Sequence, residues 1–191
     1  MTENDGPEGG FVSKARLEFL SDGVFAIAMT ILVIEIKVPE LGEPRSARAL
    51  VKALSHGWYG PFGWMLSIFL LGLMWARAHR QFHYVLRVTR AIFACNLWLM
   101  ASAALLPFCV GVYAHYPLNA ASYLLYFGTL ELYQLGVAAQ LWFASRQGAL
   151  DPGLAPDTLR AFRRKNRLGA LLPLAILALL LLRSQTQTTA H

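Results

Sequence analysis

Long apolar runs recur along this chain, separated by shorter stretches in which arginine, glycine and proline collect. They fall at about Arg16–Val38, Trp58–His79, Ala91–Tyr113, Ala120–Phe143 and Leu168–Leu182. A helix rises about 1.5 Å per residue, so a bilayer core of about 30 Å takes roughly 20 residues. The pattern therefore predicts an all-α, polytopic membrane protein with five spanning helices, a sixth being left open. A closed β-barrel is excluded, because its strands are roughly ten residues of alternating polarity. Pro39 and the EIKVPELGEP stretch stop the first span, since proline cannot continue a helix interior. Arg45 to His56 is expected as a short surface helix, with Trp58 and Tyr59 as interfacial anchors. DPGLAPD, residues 151–157, reads as a turn-rich link to the basic run RRKNR.

Composition agrees with this picture. Of the 191 residues, 56% are hydrophobic and 15% charged, with mean hydropathy +0.44. Soluble domains carry about 25% charged residues. The net charge of +6 and pI near 9.6 are explained by topology and lipid headgroups, not by nucleic acid. With five spans, the side holding the N-terminus carries twelve Lys or Arg residues: Lys14 and Arg16, four from Arg77 to Arg90, and six from Arg146 to Arg167. The other side carries five. Positive charge inside places the N-terminus in the cytoplasm and the C-terminus outside. The chain is expected to divide into a cytoplasmic tail (1–15), a membrane-spanning domain (16–183) and a C-terminal tail (184–191). Its first ten residues are acidic and lack the basic start of a signal peptide.

The first span holds the most informative chemistry. Asp22 lies near its start and Glu35 near its end, and ionisable groups in a span are costly and mark function. Between them, Gly23 to Ile34, the only polar side chain is Thr30. Ile27, Thr30 and Ile34 share one helical face. That face is either an ordinary packing stripe or, with copies of it converging on an axis, part of a hydrophobic constriction that gates by dewetting.

Other groups carry less. His79 and His83 are spaced for metal ligation, but Arg77, Arg80 and Arg87 surround them, so no metal is assigned. Glu131 in the fourth span is either a proton relay or a group satisfied by an inter-helix hydrogen bond, the preferred reading. Cys95 and Cys109 are about 21 Å apart if one helix holds both, too far for a disulfide. Lys37 is expected to snorkel to the interface. No T-V-G-Y-G carbonyl filter occurs, and Gly57-Trp-Tyr-Gly60 only echoes one.

Arg16, then Ser21-Asp22-Gly23 and VFAIAMTILVIEIKVP, resembles the R-x-x-x-F-S-D signature of the lysosomal potassium channel (transmembrane protein 175) family and its bacterial relatives. Trp75 with His79-Arg80 and Phe82 resembles its W-x-x-H-H-R-x-F stretch, and Asn96 with ALLPF resembles its third helix. The likeness covers the first 110 residues well. It departs where Leu20 stands for the signature phenylalanine, and Ala78 for the first histidine.

The resemblance implies a homotetramer in the bacterial inner membrane whose central pore is lined by the first helix. Ile27 would form the main constriction, Thr30 a hydroxyl layer and Ile34 a further apolar ring. Arg16, Ser21 and Asp22 would be structural, tied to Trp75, His79 and Asn96. The function expected is passive, leaky potassium conduction with no cofactor besides the permeant ion. The competing reading is a proton-coupled secondary transporter using Asp22 and Glu131. No nucleophile–base arrangement supports an enzyme.

Overall fold

The computed structural model describes residues 12–36, 38–39, 46–56, 59–116 and 119–188, with backbone alone at 35, 56, 59, 60, 63, 172 and 181–188. Lys37, Gly57 and Trp58 lie outside the described residues, as do residues 1–11 of the N-terminal tail. Helices run α1 (Lys14–Ile31), α2 (Ala47–His56), α3 (Tyr59–His83), α4 (Arg90–His115), α5 (Ala120–Arg146) and α6 (Pro156–Thr188). A 3-10 turn, Leu32–Glu35, continues α1. Among the described residues no strand forms; Val85 and Leu150 make an isolated bridge.

The first span is shorter as an α-helix than its hydropathy suggests. Regular helix ends at Ile31, and the chain turns extended at Ile36 (ψ 105°). The β-branched residues Ile31, Val33, Ile34 and Ile36 crowd the preceding turn, which weakens the helix and favours extended backbone. The last helix is longer than expected. Pro156 opens it at the first helical position, where proline costs no hydrogen bond, and Asp157 in the first turn pairs with Arg160 at 3.0 Å. RRKNR is therefore helical, and residues 184–188 of the expected tail continue the same helix. Among the described residues, two stretches, Lys14–Ile34 and Arg90–His115, are long and apolar enough to cross a membrane.

α1 packs on α4 and α3, and α5 lies between α4 and α6. The central core joins Phe25, Ala28 and Leu32 of α1 to Leu71, Met74, Leu99, Ala103, Leu130 and Tyr133. Tyr133 sits at the junction: Phe25 meets its ring edge-on at 6.2 Å, and its hydroxyl donates to the Met74 carbonyl at 2.6 Å. α4 and α5 approach closely at Gly136. A Cβ there would lie 2.8 Å from both Leu99 and Trp98 side-chain atoms. Gly148 (φ 59°) closes α5, a backbone conformation only glycine adopts without strain.

The α3–α4 and α5–α6 loops are joined at one end of the bundle. Leu86 N–H donates to Ala149 O at 2.8 Å, Asp151 N–H to Tyr84 O at 2.9 Å, and Thr89 Oγ1 to Gln147 Oε1 at 2.6 Å. Lys14 Nζ reaches the His83 carbonyl at 2.8 Å, bringing the start of α1 to the same end. A second apolar cluster including Leu17, Phe82, Val85, Val88 and Ile92 seals it. The three basic segments, far apart in sequence, thus share one end of the molecule.

Candidate pore-lining helix and its support

α1 has two different faces. Leu17, Phe25, Ala28 and Leu32 are buried against the bundle. Ile27, Ile31 and Ile34 face away from it, 59%, 42% and 75% exposed in the single chain. Thr30 is also exposed, and its hydroxyl donates to the Ile27 carbonyl at 2.8 Å. That bond satisfies the proton within the helix and leaves the oxygen lone pairs directed outward. The uncovered strip is therefore branched hydrocarbon with one oxygen layer.

Asp22 begins this strip and is held by α3. Trp75 Nε1 donates to Asp22 Oδ1 at 2.7 Å, and His79 stacks on the Trp75 indole with ring centroids 5.2 Å apart. Asp22, Trp75 and His79 are therefore brought together. The other three residues of the expected network are placed differently. Asn96 is buried, but its amide donates at 3.0 Å to Ile92 O, one turn back in its own helix. The side chains of Arg16 and Ser21 make no hydrogen bond or ion pair among the described residues.

Glu131 is not satisfied in the way expected from the sequence. Both of its carboxyl oxygens are buried without a hydrogen-bond partner among the described residues. The cysteines lie in α4, both buried as thiols, with Cys109 Sγ 3.3 Å from Thr129 Oγ1.

Sequence reasoning missed a buried polar belt joining α3, α5 and α6. Gln81 Nε2 donates to Val137 O at 2.7 Å and to Gln140 Oε1 at 3.3 Å. Asn166 Nδ2 donates to Gln81 Oε1 at 3.1 Å, and Arg77 donates to Asn166 Oδ1 at 2.9 Å and Lys165 O at 2.6 Å. Arg77, counted above among the loop cations, is thus a helix-packing residue whose guanidinium lies against Gly169. The signal was available: Gln81, Gln140 and Asn166 are amides on otherwise packed faces, and buried amides need partners.

Likenesses to known proteins bear on this arrangement. The family model described as "Endosomal/lysosomal potassium channel TMEM175" matches residues 16–107, from the start of α1 well into α4. A potassium channel of Streptomyces collinus is 35% identical over 166 residues, covering 83% of this chain and 78% of that protein. A potassium channel of Chamaesiphon minutus is 38% identical over 101 residues, about half the length of each. The crystal structure of a lysosomal potassium-selective channel TMEM175 homolog from the same organism superposes with a TM-score of 0.76 at 27% identity, covering 92% of this chain and 90% of that one. The endosomal/lysosomal proton channel TMEM175 of Gallus gallus is 35% identical over 103 residues, 20% of its length. The motifs around Asp22 and Trp75, the helical bundle and these likenesses agree: the chain belongs to the TMEM175 family of membrane ion channels and is not an enzyme.

Proposed function

We propose that four copies of this chain form a potassium-permeable channel in a bacterial inner membrane, with α1 of each copy facing a central axis. The observation that carries this reading is the uncovered Ile27–Ile34 face of α1 beside the buried Leu17–Leu32 face. Ile27 forms the narrowest apolar ring, Thr30 a hydroxyl ring and Ile34 a further apolar ring. Such a constriction gates by dewetting and needs no carbonyl filter. Without carbonyls to replace the ion's hydration shell, discrimination between potassium and sodium is modest. The channel conducts passively and uses no cofactor. Five helices span, α2 being too short at ten residues, and the arginine-rich end faces the cytoplasm.

Planar-bilayer recording of the purified protein under opposed potassium and sodium gradients tests the reading. A reversal potential displaced toward potassium equilibrium is expected; absence of current contradicts it.

One observation favours a second reading. The partnerless Glu131 carboxylate is an intramembrane proton acceptor, as a proton-coupled transporter requires. Uptake that needs a proton gradient and is lost in Glu131→Gln would support it. Ohmic currents unchanged by that substitution contradict it.

A further inference from the structure

A groove of about 510 Å³ runs between α5 and α6. Arg146, Arg163 and Arg167 are among its lining residues. Arg163 and Arg167 are one helical turn apart on α6, and Arg146 is in the last turn of α5. No carboxylate lines this groove, and among the described residues none of the three guanidiniums forms an ion pair. The neighbouring Arg160, by contrast, is paired with Asp157. Three unneutralised cations lining one groove repel each other and favour an anion there.

The groove also has an apolar part. Trp142, half exposed, lies beneath Arg146 with the guanidinium carbon 5.3 Å from its ring, an aromatic at the level where α5 ends. Below it the wall is Leu135, Ala138 and Leu141. From Arg146 down to Gln134 is twelve residues of helix, about 18 Å. A free inorganic anion would leave the apolar wall uncovered. A molecule with a phosphate at one end and a hydrocarbon chain at the other fills the whole groove, and basic pockets between spanning helices on the cytoplasmic side suit such headgroups.

We infer that the α5–α6 groove binds an anionic glycerophospholipid, its phosphate held by Arg146, Arg163 and Arg167 and an acyl chain laid along Leu135, Ala138 and Leu141. The inference rests on placement of the arginine-rich end at a membrane surface and is independent of which ion permeates. Each guanidinium–phosphate contact is a charge-assisted hydrogen bond, so removing one weakens binding about tenfold.

The test is thermal unfolding of the purified full-length protein in detergent, titrated with phosphatidylglycerol, phosphatidylcholine of the same chains, or inorganic phosphate. Phosphatidylglycerol alone is expected to raise the melting temperature in a concentration-dependent way. Arg163→Gln/Arg167→Gln should shift that titration about a hundredfold, and Ala138→Trp, which fills the groove and keeps the charges, should abolish it. If the double arginine variant fails to fold, Ala138→Trp decides the matter. Equal stabilisation by phosphatidylcholine, or a phosphatidylglycerol shift that survives Ala138→Trp, overturns the inference. An equal effect of inorganic phosphate assigns the arginines to soluble anions and overturns the lipid assignment. None of these readings depends on ion flux, so they stand or fall separately from the proposed channel activity.

Discussion

Trp75 and Asp22, 53 residues apart in sequence, are joined by a 2.7 Å hydrogen bond from the indole N–H to the carboxylate. The bond fixes the middle of α1 to α3 and so sets the rotation at which α1 presents Ile27, Thr30 and Ile34. A hydrogen bond to a charged group contributes about 1.5–3 kcal/mol. Trp75→Phe keeps most of the packing area but removes the donor. It should lower the melting temperature by several degrees and reduce the tetramer fraction in size-exclusion chromatography, with Asp22→Ala behaving alike. Normal assembly of Asp22→Ala with altered permeation would make Asp22 a pore residue instead.

The Thr30 hydroxyl donates within its own helix, so its removal should leave the helix intact. Thr30→Val should assemble as the wild type yet conduct less, because the one oxygen layer in the apolar strip is gone. Ile27→Ala should do the reverse: higher potassium flux in reconstituted vesicles and weaker discrimination against sodium. Unchanged flux and selectivity in both variants would move the pore away from this face.

Gln81 is the hub of the polar belt. Gln81→Leu leaves the Asn166 amide and the Gln140 side-chain oxygen without that partner, and each buried orphan costs about 1–3 kcal/mol. Circular dichroism during heating should show a clear loss of stability. Gln81→Glu, which keeps an acceptor for Asn166, should lose less if the carboxyl is protonated at acidic pH.

Gly136 marks where α4 and α5 touch. Trp98 cannot swing away without breaking the bond from its indole N–H to Leu132 O at 2.7 Å. Gly136→Val should therefore overpack the contact and destabilise by about 1–3 kcal/mol, measurable as a lower melting temperature. Gly128→Ala, where a new Cβ meets nothing within 4 Å, is the matched control and should be near neutral.

Much of this fold was legible because apolar length is a strong signal. The starts of α4 and α5 fall within a residue of the hydropathy pattern, each marked by a capping side chain, Thr89 and Asn119. Three features were not legible, for physical reasons. The helix of span one tightens and ends before Pro39 because β-branched crowding acts earlier than the proline. α6 reaches back to Pro156 because basic residues leave an apolar window without breaking a helix. Arg77 counts as a loop cation by composition, yet its partners Asn166 and Lys165 come from a helix nearly ninety residues later. In the candidate site, spacing alone put Ile27, Thr30 and Ile34 on one face, whereas the indole–carboxylate contact followed from family resemblance.

The central claim is that this isoleucine face of α1 surrounds the conduction path. Ile27→Cys in a planar bilayer tests it directly, since native Cys95 and Cys109 are both buried and give little background. A water-soluble methanethiosulfonate reagent should reduce the single-channel potassium current in steps, with the unmodified wild type unaffected. Currents that persist unchanged while mass spectrometry shows the introduced thiol modified would place the face outside the pore and contradict the account.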